Sequence, residues 1–181
     1  MKANTSALIA KLFEIGAIKF GNFVLKSGAT SPIYIDLRMI IAYPSLLKKI
    51  SEMIWEKIKP LSFNLVCGVP YTALPLATAI SLTHNIPMLM KRKEAKDYGT
   101  KKMIEGIYKE DDRCVIIEDV ITSGMSILET IDALKEEKLD IRDIVVVVNR
   151  EEGGKERLEA LGFNVYPLIS MKDIFGYHAT R

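Results

Sequence analysis

Beyond residue 60 the chain alternates between short, uninterrupted apolar runs and longer stretches with helical spacing: "NLVCGV", "ALPLATAISLTHN", "IPMLM", a charged stretch, "RCVIIE", "SILETIDALKEE" and "DIVVVVN". A strand that is apolar at every position has to be covered on both faces, and helices inserted between such strands return the chain so that the strands run parallel. The pattern predicts an α/β fold with a central, mainly parallel sheet flanked by helices. In sheets of this kind ligands bind beyond the carboxyl ends of the strands, so functional residues are expected in the segments that follow each apolar run. "GGKERLEALGFNVYPLISMKDIF" adds another helix, a strand and a terminal helix.

Ahead of this pattern, Leu8, Ile9, Leu12, Phe13 and Ile15 mark an amphipathic helix, and "GNFVLKSGATSPIYIDLR" reads as two extended segments around a Ser-Gly turn. "PSLLKKISEMIWEKIK" starts with a proline and carries apolar residues at 46, 47, 50, 53, 54 and 58, a helix with one buried stripe. With 181 residues and no linker or repeat, the expectation is one domain over 1–181. A formal charge of only +2 gives no general affinity for polyanions, so no nucleic-acid partner is expected and cation clusters have to be argued locally. Cys67 and Cys114 sit in apolar runs without metal-ligand spacing and read as buried thiols. The helical spacing of the first residues differs from a signal peptide, and no apolar run approaches membrane-spanning length, so a cytoplasmic protein without a membrane partner is expected.

Four strand ends carry chemistry. In "CVIIEDVITSGMS", Ile116 and Ile117 are expected to close a strand, with Glu118 and Asp119 following it, then Val120, Ile121, and a turn from Thr122 through Ser123, Gly124 and Met125 to Ser126. Such a turn offers N–H groups and hydroxyls to a phosphate at a helix N-terminus, while two carboxylates accept from vicinal sugar hydroxyls. The spacing is neither a Walker A loop nor GxGxxG, and the plainer reading is a capped helix behind solvated acids. "KRKEAKDYGTKK" packs six bases and two acids between Lys91 and Lys102 without apolar periodicity. It reads as a mobile cationic loop able to close over an anion, or as an ordinary solvated loop. "CGVPYTALPLA" turns from strand to helix through small residues whose N–H groups can cradle an anion, or simply turns. In "VVVVNREEGG" Arg150 leaves a buried strand; it can grip a carboxylate or carbonyl bidentately, or pair with Glu151, Glu152 or Asp143.

Acid-acid-apolar-apolar-Thr-small-Gly-x-Ser after a buried strand resembles the signature of the type I phosphoribosyltransferases, which bind phosphoribosyl pyrophosphate (PRPP). Together with "FVLKSGATSPIYIDLR", "CGVPYTALPLA", "RKEAKDYGTKK" and "NREEGG", the stretch from about Phe20 to Gly154 is similar to the orotate phosphoribosyltransferases, in its wording above all to the transferase half of the bifunctional UMP synthases. Without a second barrel domain, the chain would correspond to that half alone. The resemblance implies the type I phosphoribosyltransferase fold, with a small N-terminal hood and a flexible catalytic loop. It also implies a pentosyltransferase in UMP biosynthesis that joins PRPP to orotate N1, with Mg²⁺ held mainly by PRPP, and a homodimer whose basic loop reaches into the partner's site.

The same resemblance implies roles. Val120 through Ser126, Thr122 to Ser126 above all, would hold the 5′-phosphate; Glu118 and Asp119 would hold the ribose hydroxyls. Tyr71, Thr72, Arg92, Lys93, Lys96 and Tyr98 would surround the pyrophosphate, with Arg92, Lys93, Lys96 and Asp119 as the catalytic set. Lys26 would lie near the reacting atoms and the base, and Tyr34, Ile35, Thr122 and Arg150 would shape the orotate pocket. Two departures stand out, Tyr98 for a loop histidine and Thr72 for a lysine of many bacterial members; a third, Glu118, stands where many have Asp. A salvage transferase for another base, a non-catalytic PRPP-binding regulator, and a doubly wound nucleotide-binding protein of another kind, which the missing glycine fingerprint disfavours, are the competing readings. Lys96→Ala is expected to lower kcat at least about a hundredfold, the scale of one lost electrostatic contact to the transition state. Initial rates measure it, and near-normal turnover refutes the assignment.

Overall fold

A computed structural model of the chain describes residues 3–24, 28, 30–92 and 103–180. Helix α1 (Ala3–Glu14) fully buries Leu8, Ile9 and Leu12 of the predicted stripe. Strands β1 (Ile18–Val24) and β2 (Thr30–Ile35) pair antiparallel as a separate two-stranded sheet, the hood expected from the two extended segments. Its Phe20 ring lies 5.6 Å from Phe13 and 4.0 Å from His178, so aromatic packing ties the hood to α1 and to the terminal helix α6 (Met171–Ala179). A 3-10 turn over Leu37–Ala42 was not legible in the sequence; the Asp36 carboxylate starts it by accepting the Arg38 N–H. Helix α2 (Pro44–Ile58) follows, burying Leu46, Ile50, Ile54 and Ile58.

The main sheet runs in the order β5-β4-β3-β6-β7-β8, built from β3 (Leu65–Gly68), β4 (Met88–Lys91), β5 (Ile104–Glu105), β6 (Cys114–Ile121), β7 (Asp143–Asn149) and β8 (Asn164–Ser170). All pairings are parallel except that of the two-residue β5 with β4, which lies beyond what apolar patterning reveals in so short a segment. Helices α3 (Ala73–His84), α4 (Met125–Glu136) and α5 (Gly154–Ala160) complete the crossovers. Strand alternation divides the core in two. Val66, Val115, Ile117, Val145 and Val147 face the layer of α1, α2, α3 and α6, whereas Cys67, Cys114, Ile116, Ile144 and Val146 face α4 and α5. Both cysteines are buried and unbonded, and burial pushes the Cys67 thiol up to about 12.

One boundary differs from expectation. Strand β6 does not close at Ile117 but continues through both acids to Ile121, because β7 pairs alongside it: Glu118 sits opposite Val146 and Val120 opposite Val148. Glu118 therefore belongs to the sheet rather than to a solvated loop and is only 6% exposed. Burial, reinforced by the adjacent Asp119 carboxylate, holds its carboxyl well above the ordinary range, although the Asp119 N–H donates to it at 3.0 Å.

A carboxyl whose folded pKa is raised contributes stability below its unfolded pKa and loses it as pH climbs through the folded value. Glu118→Gln should therefore gain on the wild type as pH rises from about 5 to about 8, the urea midpoints diverging in the variant's favour. A difference independent of pH contradicts the buried position.

Candidate active site

Where β6 ends, Thr122 and Ser123 are exposed and Gly124 takes φ +78°, a conformation natural to glycine, before α4 begins at Met125. No side chain caps α4, so the N–H groups of its first turn and the hydroxyls of Thr122, Ser123 and Ser126 are available at one place. They line a small pocket with Glu118 and with Val120 through Ile127. An anion placed here meets the positive end of a helix dipole and a nest of donors. The turn is held from below by Gly154 in "NREEGG": a Cβ there would come 2.8 Å from the Gly124 nitrogen and clash with the Thr122 carbonyl. The sequence reading gave Gly154 no role, since closeness between two loops appears only once β6 and β7 are paired.

Ser126 also lines a second cavity, next to the first, walled by Val69, Pro70, Tyr71, Lys91, Arg92 and Glu129. Its floor is the turn after β3, where the Pro70–Tyr71 peptide is cis and Tyr71 stands exposed. Thr72 precedes α3 without capping it. Arg92 donates its backbone N–H to Met103 O and its Nη1 to Glu105 Oε1 at 2.9 Å, which fixes the guanidinium beside the cavity. The two cavities share a wall, one at the mouth of β6 and the other between the ends of β3 and β4.

Arg150 follows β7, and its N–H donates to Ile121 O, which brings the β7 turn against the end of β6. Its side chain is only 12% exposed, with Nε 2.8 Å from Glu152 Oε1. The charges pair, while among the described residues the buried Nε–H has no well-aligned hydrogen-bond acceptor. The ion pair foreseen for Arg150 is thus real and falls on Glu152. Tyr34 and Ile35 lie on β2 of the hood. The Tyr34 hydroxyl donates to Asp36 Oδ2 at 3.2 Å, and Asp36 is gripped bidentately by Arg38 at 2.7 and 2.6 Å. Arg38 accordingly holds the Asp36 carboxyl below the usual range. Asp119 is half-buried beside Glu118.

The structure thus gathers Glu118, Val120, Ile121, Thr122, Ser123, Gly124, Met125, Ser126, Tyr71 and Arg92 along one carboxyl edge. Lys26, Lys93, Lys96 and Tyr98 lie outside the described residues. Lys91, although inside the basic stretch, received no individual role from the sequence; its place on β4 and in the second cavity singles it out. Among the described residues no group of three or more His, Cys, Asp or Glu side chains is placed to hold a metal ion, and no helix is long and apolar enough to cross a membrane.

Comparison with known proteins agrees with this geometry. Residues 36–164 match the phosphoribosyl transferase domain family. The chain is 50% identical over 170 residues to uridine 5′-monophosphate synthase of Bos taurus, covering 93% of this chain but only 35% of that protein. It is 45% identical to an orotate phosphoribosyltransferase of Caenorhabditis elegans, covering 90% of this chain and 73% of the relative. In three dimensions it matches the crystal structure of orotate phosphoribosyltransferase from Aeropyrum pernix with a TM-score of 0.85 and 30% identity, over 96% of this chain and 99% of the other. With its parallel sheet, its hood and the paired cavities at the carboxyl edge, the chain belongs to the orotate phosphoribosyltransferase family of type I phosphoribosyltransferases.

Proposed function

We propose that the chain transfers the phosphoribosyl group of PRPP to N1 of orotate, giving orotidine 5′-monophosphate and pyrophosphate in pyrimidine nucleotide synthesis. The observation that carries this reading is the pair of anion cavities meeting at Ser126 with two carboxylates alongside, a layout suited to one ligand with a phosphate at one end and a pyrophosphate at the other. Membership of the family supports it.

In this reading the α4 N-terminus and Thr122 to Ser126 bind the 5′-phosphate. Asp119 accepts from one ribose hydroxyl, and Glu118, whose protonated form is favoured by burial, donates to the other oxygen. Departure of pyrophosphate leaves positive charge on the ribose and builds negative charge on the leaving group. Fixed cations and the exposed donors of the turn at Tyr71 and Thr72 lower that barrier most when water is kept out. Arg92, Lys93 and Lys96 supply the cations, with Lys26 and Tyr98 beside them. Arg150, Thr122, Tyr34 and Ile35 orient the base, Arg150 exchanging Glu152 for the orotate carboxylate or a ring carbonyl.

The donors present fit Mg²⁺ brought in by the substrate: Asp119 offers a carboxylate, and Mg²⁺ is commonly held by one or two carboxylates plus substrate phosphates. The chemistry it would supply is neutralisation of the pyrophosphate charge. The reading includes a cytoplasmic homodimer with shared sites.

Orotate, PRPP and Mg²⁺ mixed with the protein should give a fall in orotate's ultraviolet absorbance and stoichiometric pyrophosphate. No change with folded protein refutes the reaction. Consumption of uracil or hypoxanthine in place of orotate points to a salvage transferase, whereas binding of PRPP without pyrophosphate release points to a regulator.

A further inference from the structure

Lys91 closes β4, two positions after Leu89, so strand alternation aims both side chains at the layer of α4. Leu89 is fully buried there, but Lys91 lies one step beyond the apolar core and enters the second cavity, where Tyr71, Arg92 and Ser126 are its neighbours. Its side chain is 14% exposed. A cation with most of its side chain packed away is held near one place, so its charge is directed at whatever enters the cavity.

What the described residues offer it is meagre. Glu129 on α4 has Oε2 4.0 Å from Lys91 Nζ, within Coulomb range but beyond hydrogen-bond length, and the Glu129 carboxylate is 65% exposed. Among the described residues the ammonium makes no side-chain hydrogen bond. Arg92, next along the chain, turns to Glu105 on β5, so the two successive cations are held by different carboxylates. Lys91 is therefore a partly buried cation whose donors are not taken up among the described residues, facing a cavity whose other wall is the turn at Pro70 and Tyr71.

We propose that Lys91 is a further pyrophosphate-binding residue, loosely held by Glu129 in the free protein and transferred to the ligand's pyrophosphate on binding. This rests on the reading of the second cavity as the pyrophosphate site. An anion carrying three or four negative charges outcompetes a single exposed carboxylate at 4.0 Å for an ammonium that has three donors to give. Glu129, released, returns to solvent.

The test is isothermal titration of inorganic pyrophosphate with Mg²⁺, together with steady-state kinetics, on wild type and Lys91→Met. The Met variant should bind pyrophosphate about tenfold more weakly and show a similar rise in KM for PRPP, the scale of one charge-assisted contact, while KM for orotate stays within about twofold. Lys91→Arg should recover most of the loss. Equal pyrophosphate affinity in wild type and Lys91→Met overturns the proposal. If the Met variant does not fold, Glu129→Gln decides: removing the competing carboxylate should tighten pyrophosphate at least about threefold, and no tightening overturns it. A wild type that binds pyrophosphate but leaves orotate unchanged refutes the proposed reaction and not this assignment; one that does not bind pyrophosphate overturns both.

Discussion

Burial of β3, β6 and β7 on both faces is the constraint on which everything else rests. Val66, Cys67, Val115, Ile116, Val145 and Val146 are fully buried, so polar chemistry has no place along the middle of the sheet. It emerges only where the strands run out, and parallel pairing makes them run out at the same edge. The turn from Thr122 to Ser126, the cis turn after β3, the end of β4 and the Arg150 turn are neighbours for that reason, although Pro70 and Arg150 stand 80 residues apart in sequence. The hood is the exception: it has its own sheet and is positioned by aromatic contacts to helices at the two ends of the chain.

Near-neutral composition conceals strong local charge. Lys91 with Glu129, Arg92 with Glu105 and Arg150 with Glu152 each pair a cation at the carboxyl edge with a more exposed acid. Pairs of this kind are weak, being partly solvated, and yield to a ligand bearing several charges. Among the described residues these three cations of the carboxyl edge are held in position by paired acids, which suits a chain whose proposed substrate is a polyanion.

Much of this was legible in the sequence because the code was local. Apolar runs announced β3, β4, β6 and β7, and helical spacing announced α1 and α2. The turn from Thr122 to Ser126 could be read from its residues as a strand-to-helix turn rich in donors, and the structure places it there. What escaped depended on pairing. Glu118 looked like a loop acid because acids usually end strands; only the presence of β7 beside it keeps the ladder going to Ile121. Gly154 looked like part of an ordinary turn until the Thr122 carbonyl was found against it. Lys91 was one base among six, and only its place at the end of β4, lining the second cavity, distinguishes it. The two-residue β5 and the 3-10 turn at Leu37–Ala42 are too short for any period to register.

Helix α4 begins at a left-handed glycine with no side chain to cap it. Helices commonly settle their first N–H groups with a side-chain cap; this one has none, and in the proposed function the 5′-phosphate takes that place. Ligand occupancy and integrity of the first turn of α4 are then a single equilibrium. On that function the ligand would be, in effect, the last few atoms of the fold, and thermal resistance should rise with its concentration.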